Sequence, residues 1–359
     1  MLKGNFEDII ELLKRSERIL LLPHLHADGD ALGSCGALAA FLKASGKQVT
    51  VLTEEAVDPK LDFLPALCGV DFLTPDRLTA LFGTLAEPDT FCRIAEPYDL
   101  AVAIDSSAPD RLGARLPLYE AAAAQARIDH HAAGTDFSPL TLLDSEWSAT
   151  AEGIYLLLHR MGFDRGVDRP GWLTAEIEKA AAGAIYTGLV TDTGCFAYSN
   201  VTAQTHLIAS RTRMLAGNMS FVSHRVYEVR SRAYTRLMRT VYGKMYYPQP
   251  DIAVLCLTRA EMDAAGAGDA DTDGISNILR DIEGVHAGIF VKPDSTEPGV
   301  YRVSLRSDEC VNVAAVAKAF GGGGHVCAAG CSLHAADEAA LAAEVARLVD
   351  AVRAGLVKA

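Results

Sequence analysis

Basic side chains are scarce in this 359-residue sequence: 33 Lys and Arg stand against 46 Asp and Glu, a formal net charge of −13. The deficit argues against a broad nucleic-acid-binding face, because long polyanions are held in basic grooves, and leaves small anions gripped in a local pocket. Long apolar runs are missing too. The opening MLKGNFEDIIELLKR alternates charge with apolar residues and holds no apolar core of signal-peptide length, and no run approaches a membrane span. There is no paired CxxC ladder. The eight cysteines are scattered in apolar or small-residue settings, which argues against a zinc knuckle or a disulfide frame, and Cys327 and Cys331 are expected as buried reduced thiols. A cytoplasmic protein with no membrane partner is the expectation. What the chain has in quantity is apolar bulk, 50% of its residues, enough for a sizeable core spread over about two domains.

Residues 23–34 read PHLHADGDALGS and put His24, Asp28 and Asp30 close together. The apolar run at 18–22 is short, as for a strand buried on both faces of a parallel sheet. The Ala- and Leu-rich stretch 31–45, closed by Gly46, reads as a helix. Strand, polar turn and helix together place three candidate ligands at the carboxyl end of a strand, where open α/β sheets put their chemistry. Taken alone, DGD would be a turn that caps the helix. Residues 48–53 read as a second strand, and 58–97 as a Pro-interrupted stretch of loops and short helices. DLAVAID, 99–105, repeats the pattern of an apolar strand ending in a carboxylate, Asp105. A strand at 125–128 then ends in Asp129, His130 and His131, and adjacent histidines after a carboxylate point to a site.

Helices are expected at 150–161 and 174–190. The second delivers Asp192 at a helix end, where the dipole opposes a negative charge and calls for a cationic partner. Residues 198–202 offer an aromatic ring and hydroxyl or amide groups to a base or ribose, or else form a turn before a helix at 203–216. His24, Asp28, Asp30, Asp105, Asp129, His130, His131 and Asp192 thus nearly all fall at the ends of expected elements. Oxygen ligands with a minority of imidazoles suit Mn²⁺ or a similar cation, and the absence of thiolates argues against structural zinc. Carboxylates converging in such number would repel one another. Two divalent cations relieve that, and a pair about 3.5 to 4 Å apart activates water and stabilises an in-line phosphoryl displacement.

The order HxxxDGD, strand-end Asp, DHH, then Asp after an apolar helix resembles the DHH phosphoesterase superfamily over residues 1 to about 200. The resemblance implies one metal held by His24, Asp28 and Asp105 and another by Asp30, Asp105, His130 and Asp192, with Asp105 bridging. His131 matches the histidine that contacts the scissile phosphate, and Asp129 would orient its neighbours. His26 matches no ligand position and reads as a loop residue.

The second half adds to this. Residues 220–247 form a polar, Arg-rich, helical stretch that reads as a connector. Strands are expected at 251–258 and 285–291 around a helix at 275–282. Residues 300–306 alternate apolar Tyr301, Val303 and Leu305 with polar Arg302, Ser304 and Arg306, and a helix at 312–320 runs into GGGGH, 321–325. A glycine run lets backbone N–H groups approach an anion. SLRS at 304–307 and GGGGHVCAAG at 321–330 are similar to the DHH-associated domain, which implies phosphate or nucleotide binding across an interdomain cleft by Arg306 and His325, with Ser307, Gly322, Gly323 and Gly324 beside them.

The expected fold is α/β in two domains: 1–202 with a mainly parallel sheet flanked by helices, a helical linker at 203–249, and a smaller mixed-sheet domain at 250–359. Two-domain length, SLRS and GGGGH resemble the nanoRNase and pAp phosphatase subfamily, which implies release of nucleoside monophosphates from very short oligonucleotides and dephosphorylation of 3′-phosphoadenosine 5′-phosphate. The implied cofactors are two divalent cations, Mn²⁺ first and Mg²⁺ or Co²⁺ as alternatives. The implied partners are short oligonucleotides or small phosphorylated nucleotides, no long nucleic acid, and a second copy of the chain as an open option. A cyclic dinucleotide phosphodiesterase would use nearly the same residues. A RecJ-type exonuclease should carry a basic groove that this charge does not offer. An inactive nucleotide-binding regulator would be marked by a missing ligand, and every position is filled.

Overall fold

The apolar runs that end in polar tips are adjacent strands of one sheet. A computed structural model describes residues 2–3, 5–82, 98–308 and 310–356. Cys92 and the 83–97 part of the Pro-interrupted stretch lie outside the described residues, while 58–82 holds the short helices Leu64–Cys68 and Pro75–Phe82. The chain is α/β and divides into two compact units, Met1–Val229 and Arg230–Ala359.

In the first unit, β1 (Leu2–Lys3), β2 (Arg18–Pro23), β3 (Gln48–Leu52), β4 (Phe72–Leu73), β5 (Leu100–Ile104), β6 (Gln125–Asp129) and β7 (Leu140–Leu143) form a sheet in the order β1-β7-β6-β5-β2-β3-β4. Every pairing is parallel. Successive residues of β2 and β5 enter different cores: Ile19, Leu21, Leu100, Val102 and Ile104 join one cluster, Leu20, Leu22, Ala101 and Ala103 another. That is why both strands read as continuous apolar runs. From β2 the chain winds outward through β3 and β4, then returns to lay β5 on the other side of β2. The strand order therefore reverses between β2 and β5, and the crevice at their carboxyl ends is where a doubly wound sheet binds its ligand.

The helix Gly29–Ala44 is buried from Gly29 to Leu42 and packs against Ala175–Asp192. A Cβ on Gly33 would lie 2.4 Å from the Ala184 carbonyl oxygen, and one on Gly188 would lie 2.8 Å from Asp30 Oδ1. Glycine at both positions lets the two helices approach closely enough to bring Asp30 and Asp192 to one place.

In the second unit, β8 (Tyr246–Gln249), β9 (Ile252–Cys256), β10 (Ala287–Pro293), β11 (Val300–Ser307), β12 (Gly323–His325) and β13 (Ala328–His334) form a mixed sheet in the order β12-β13-β11-β10-β9-β8. The helices Arg232–Lys244, Arg259–Ala265 and Ile275–Arg280 contribute to the apolar cluster on one side, and Val313–Ala319 with Glu338–Gly355 to that on the other.

The stretch expected as a connector is divided between the units rather than solvated throughout. Ile208 and Ala209 of the helix Ala203–Ala216 lie in the first core, and Leu237, Met238 and Val241 of Arg232–Lys244 lie in the second. Tyr246 and Tyr247, expected to be helical, begin β8. None of the seven described cysteines is in a disulfide; Cys331 is buried, but Cys327, in the turn before β13, is only half-buried. No described helix is long and apolar enough to cross a membrane.

Candidate metal centre

Three neighbouring strands, β2, β5 and β6, deliver His24, Asp105 and the triplet Asp129–His130–His131 at their carboxyl ends. The first turn after β2 adds Asp28 and Asp30, and the last residue of the helix Ala175–Asp192 adds Asp192. His24 Nδ1 lies 2.6 Å from the Leu25 carbonyl oxygen and 2.9 Å from Arg111 Nη2. Its Nε2 faces Asp28 Oδ1 at 3.7 Å and Asp105 Oδ2 at 3.5 Å. Asp28 is also the N-cap of the following helix, its Oδ1 accepting from the Asp30 and Ala31 amides at 3.0 Å each. The capping role and the place beside His24 therefore coexist.

Asp105 takes a positive φ of 56°, in the left-handed region that Asp tolerates better than most side chains. Its two oxygens look different ways. Oδ2 faces His24, whereas Oδ1 lies 3.7 Å from His130 Nε2, 3.5 Å from His131 Nδ1, and accepts from Thr150 Oγ1 at 2.8 Å. His130 Nδ1 lies 3.2 Å from the Trp147 carbonyl oxygen, which turns Nε2 toward Asp192 Oδ2 at 3.3 Å. Asp30 is fully buried and caps the Thr150–Arg160 helix from another element: the Thr150 amide donates to Oδ2 at 2.6 Å and the Ala151 amide to Oδ1 at 2.9 Å. Ligand atoms within 4.8 Å of one another form three sets: His24, Asp28 and Asp105; Asp30, His130 and Asp192; and Asp105, His130 and His131. These oxygen and imidazole donors fit divalent cations of the Mg²⁺ to Mn²⁺ kind.

Asp129 stands behind this cluster, buried, with Oδ1 2.8 Å from His131 Nδ1 and its other oxygen paired to Arg127. Burial opposes its charge, but His131 and Arg127 hold it down at about 2. Of the set, Asp28 and His131 are the most accessible, at 49% and 43%. His26 is a loop residue whose amide and Nδ1 are tied to Glu55.

Crowding shows in the protonation of the metal-free centre. Burial, then Asp105, Asp192 and Asp28, push Asp30 well above the usual carboxylate range. Burial lifts Asp192 from 3.8 to about 7 against the pull of His130. Burial works against the charge on His24, yet Asp105 and Asp28 hold it at about 10. The folded chain keeps a proton on Asp192 that the unfolded chain releases, so stability falls as pH rises from 3.8 to about 7. Asp30 acts in the same sense, and the His24 contribution, full below 6.5, is lost as pH rises toward about 10. Under chelation the melting temperature is expected to drop between about pH 5 and about pH 8, and the gain on adding Mn²⁺ to grow over the same interval. A chelated protein that melts higher at the alkaline end would contradict this.

In the second unit, Arg306, Ala328 and His325 are in register across β11, β13 and β12, so the three share a face, with only a methyl group between the Arg and the His. Arg306 donates to Asn277 Oδ1 at 3.1 Å, and His325 is exposed. Ser307 points the other way; it is buried and its hydroxyl donates to the Val311 carbonyl oxygen at 2.8 Å. Gly323 and Gly324 belong to an edge strand rather than to an isolated anion nest, and Gly322 leads into it. A Cβ on Gly322 would lie 2.1 Å from the Gly330 carbonyl oxygen, so close hairpin packing is what requires glycine there.

A family model described as "DHH family, N-terminal domain" matches residues 18–189, and a DHHA1 domain model matches 252–354. The chain belongs to the DHH family. As a DHH-family member it is a phosphoesterase, a hydrolase of a metal-dependent family, with residue groups that could hold a metal ion. It is similar over nearly its whole length to proteins named bifunctional oligoribonuclease and PAP phosphatase NrnA. The one from Thermus thermophilus is 29% identical, covering 98% of this chain and 94% of its own, and the one from Bacillus subtilis is 24% identical, covering 92% and 94%. An exopolyphosphatase-related protein from Bacteroides fragilis superposes with a TM-score of 0.81 at 26% identity, covering 97% of this chain and 96% of its own.

The DHH centre also uses residues that motif reading passes over. Thr150 touches both Asp30 and Asp105, and its signal is the SAT just before a helix start. Arg127 anchors Asp129 from two residues upstream on β6, the spacing that puts two side chains on one face of a strand. Asn200, offered to a base or ribose, instead donates to the Ser148 and Asp192 carbonyl oxygens at 2.9 and 3.1 Å. Thr202 caps the helix Ala203–Ala216.

Proposed function

We propose that the protein hydrolyses very short oligonucleotides to nucleoside monophosphates and 3′-phosphoadenosine 5′-phosphate to AMP. The observation that carries the reading is the convergence of His24, Asp28, Asp30, Asp105, His130 and Asp192 at one sheet edge in a chain that aligns end to end with the relatives of that name. His24, Asp28 and Asp105 would hold one divalent cation, and Asp30, Asp105, His130 and Asp192 the other, with Mn²⁺ the best match to the donors. When bound, such a pair activates water and neutralises charge on phosphoryl oxygens. The chain's own part is to hold these donors ready. Backbone carbonyl oxygens orient the His24 and His130 rings through Nδ1, and two helix amides fix the Asp30 carboxylate. His131, tied to Asp129 through Nδ1, presents its other nitrogen from an accessible position and hydrogen-bonds the phosphate or the leaving oxygen.

The test is a turnover panel with Mn²⁺: 3′-phosphoadenosine 5′-phosphate, linear dinucleotides, a long single strand and a cyclic dinucleotide. The first two are expected to turn over fastest. Preference for the cyclic dinucleotide would assign the protein to that phosphodiesterase activity instead.

Arg306 and His325 are the residues proposed to bind substrate, beside the glycines 322–324, while Ser307, turned to the Val311 carbonyl, is left out. Losing one charge-assisted hydrogen bond costs about 1.5 to 3 kcal/mol, so His325→Ala should raise KM roughly ten- to a hundredfold and leave kcat nearly intact. Unchanged KM with kcat lowered as severely as by loss of Asp105 would place His325 in the chemistry.

A further inference from the structure

The second unit gathers a set of donors that phosphoester hydrolysis leaves unused. His286 stands just before β10, Asp308 and Cys310 follow β11, and an imidazole nitrogen, a carboxylate oxygen and a thiol sulfur from the three lie within 4.8 Å of one another. His286 Nδ1 is 2.6 Å from Asp308 Oδ2, and the Cys310 amide donates to Asp308 Oδ1 at 2.8 Å. The Asp308 amide donates to the His286 carbonyl oxygen at 3.1 Å, so the backbone holds the strand ends together whatever the side chains do. Cys327, in the turn between β12 and β13, brings a second thiol; its Sγ lies 3.5 Å from the Asp308 carbonyl oxygen. All four residues are half-buried, leaving an entry path from solvent.

We propose that His286, Asp308 and Cys310 bind a divalent cation of the zinc class. The donor chemistry selects the ion. A nitrogen, an oxygen and a sulfur around one point suit a borderline-soft cation, whereas Mg²⁺ and Mn²⁺ prefer oxygen-rich sets such as the strand-end cluster of the first unit. Separations within 4.8 Å suit ligands that each lie about 2.0 to 2.3 Å from a shared ion. The carboxylate is already poised as a ligand: burial opposes its charge, but His286 and the Cys310 amide hold Asp308 below its ordinary value. An ion here ties Asp308 and Cys310, after β11, to His286 just before β10.

The test uses Co²⁺ as probe on the full-length protein, freed of metal by chelation under reducing conditions. None of the proposed donors of the DHH centre is sulfur, so a thiolate-to-cobalt charge-transfer band separates a thiol site from that centre, and its loss in Cys310→Ser assigns it to this cluster and not to exposed Cys195. Wild type and Asp105→Asn are expected to show the band, saturating at one ion per chain and bleached by Zn²⁺. Cys310→Ser, with an unchanged circular dichroism spectrum, should lose it, and His286→Ala should weaken Co²⁺ affinity at least about tenfold. No band in wild type, or an equal band in Cys310→Ser, would overturn the proposal. Should the variants fail to fold, wild type decides: Zn²⁺ is expected to block alkylation of Cys310, read by peptide mass mapping, and unprotected Cys310 refutes the site.

Discussion

Asp105→Asn is expected to lower kcat/KM at least about a thousandfold, a loss of about 4 kcal/mol of transition-state stabilisation. The size follows from position: one Asp105 oxygen faces His24 and the other faces His130 and His131, so a single change weakens both halves of the centre. Asparagine is the informative replacement. It keeps the side-chain shape, accepts the φ of 56° better than alanine, and can still accept from Thr150. A drop in activity with an unchanged metal-free melt therefore reports the lost charge and not a broken fold. A variant that keeps more than about a hundredth of wild-type activity, a cost of under about 2.7 kcal/mol, would remove Asp105 from the bridging role.

Substrate length should produce the second large effect. At a net charge of −13 the chain has little to offer phosphates beyond its site, so added nucleotides bring repulsion or no contact. Linear dinucleotides are expected to be cleaved at least about tenfold faster than a long single strand at equal concentration of ends, a difference of about 1.4 kcal/mol. Few backbone contacts also mean a shallow salt dependence. With log K falling about 0.7 per neutralised phosphate on single strands, a slope corresponding to roughly one or two contacts is expected. Processive loss of long strands with a steep salt slope would favour a RecJ-type exonuclease.

Two of the strands that carry the site were legible as apolar runs ending in polar tips, Pro23 before His24 and Ile104 before Asp105, whereas β6, QARID, was marked by the Asp129–His130–His131 triplet at its end. Both faces of β2 and β5 are buried, so their composition alone marks them. β1 and β4 are two-residue strands with no periodicity to read. β12 is a glycine-rich segment that local propensity assigns to a turn and that pairing with β13 makes a strand. The Asp28 motif was legible as a cap or a ligand, and the structure shows the cap standing beside His24. Thr150 and Arg127 were hidden for a different reason. Their parts are set by residues 45 positions away, as for Thr150 and Asp105, or by a neighbour whose own role had first to be assigned. His286 and Cys310 are 24 residues apart and belong to no shared motif, so only the fold joins them.

One cluster of carboxylates and imidazoles is proposed to hold two ions that share Asp105. Electron paramagnetic resonance of the chelated protein during Mn²⁺ titration addresses it without reference to any substrate. Two ions per chain are expected at saturation, with the spectrum of an exchange-coupled pair that Asp105→Asn abolishes. A single ion per chain at saturation, or two with only isolated, uncoupled signals, would contradict the account.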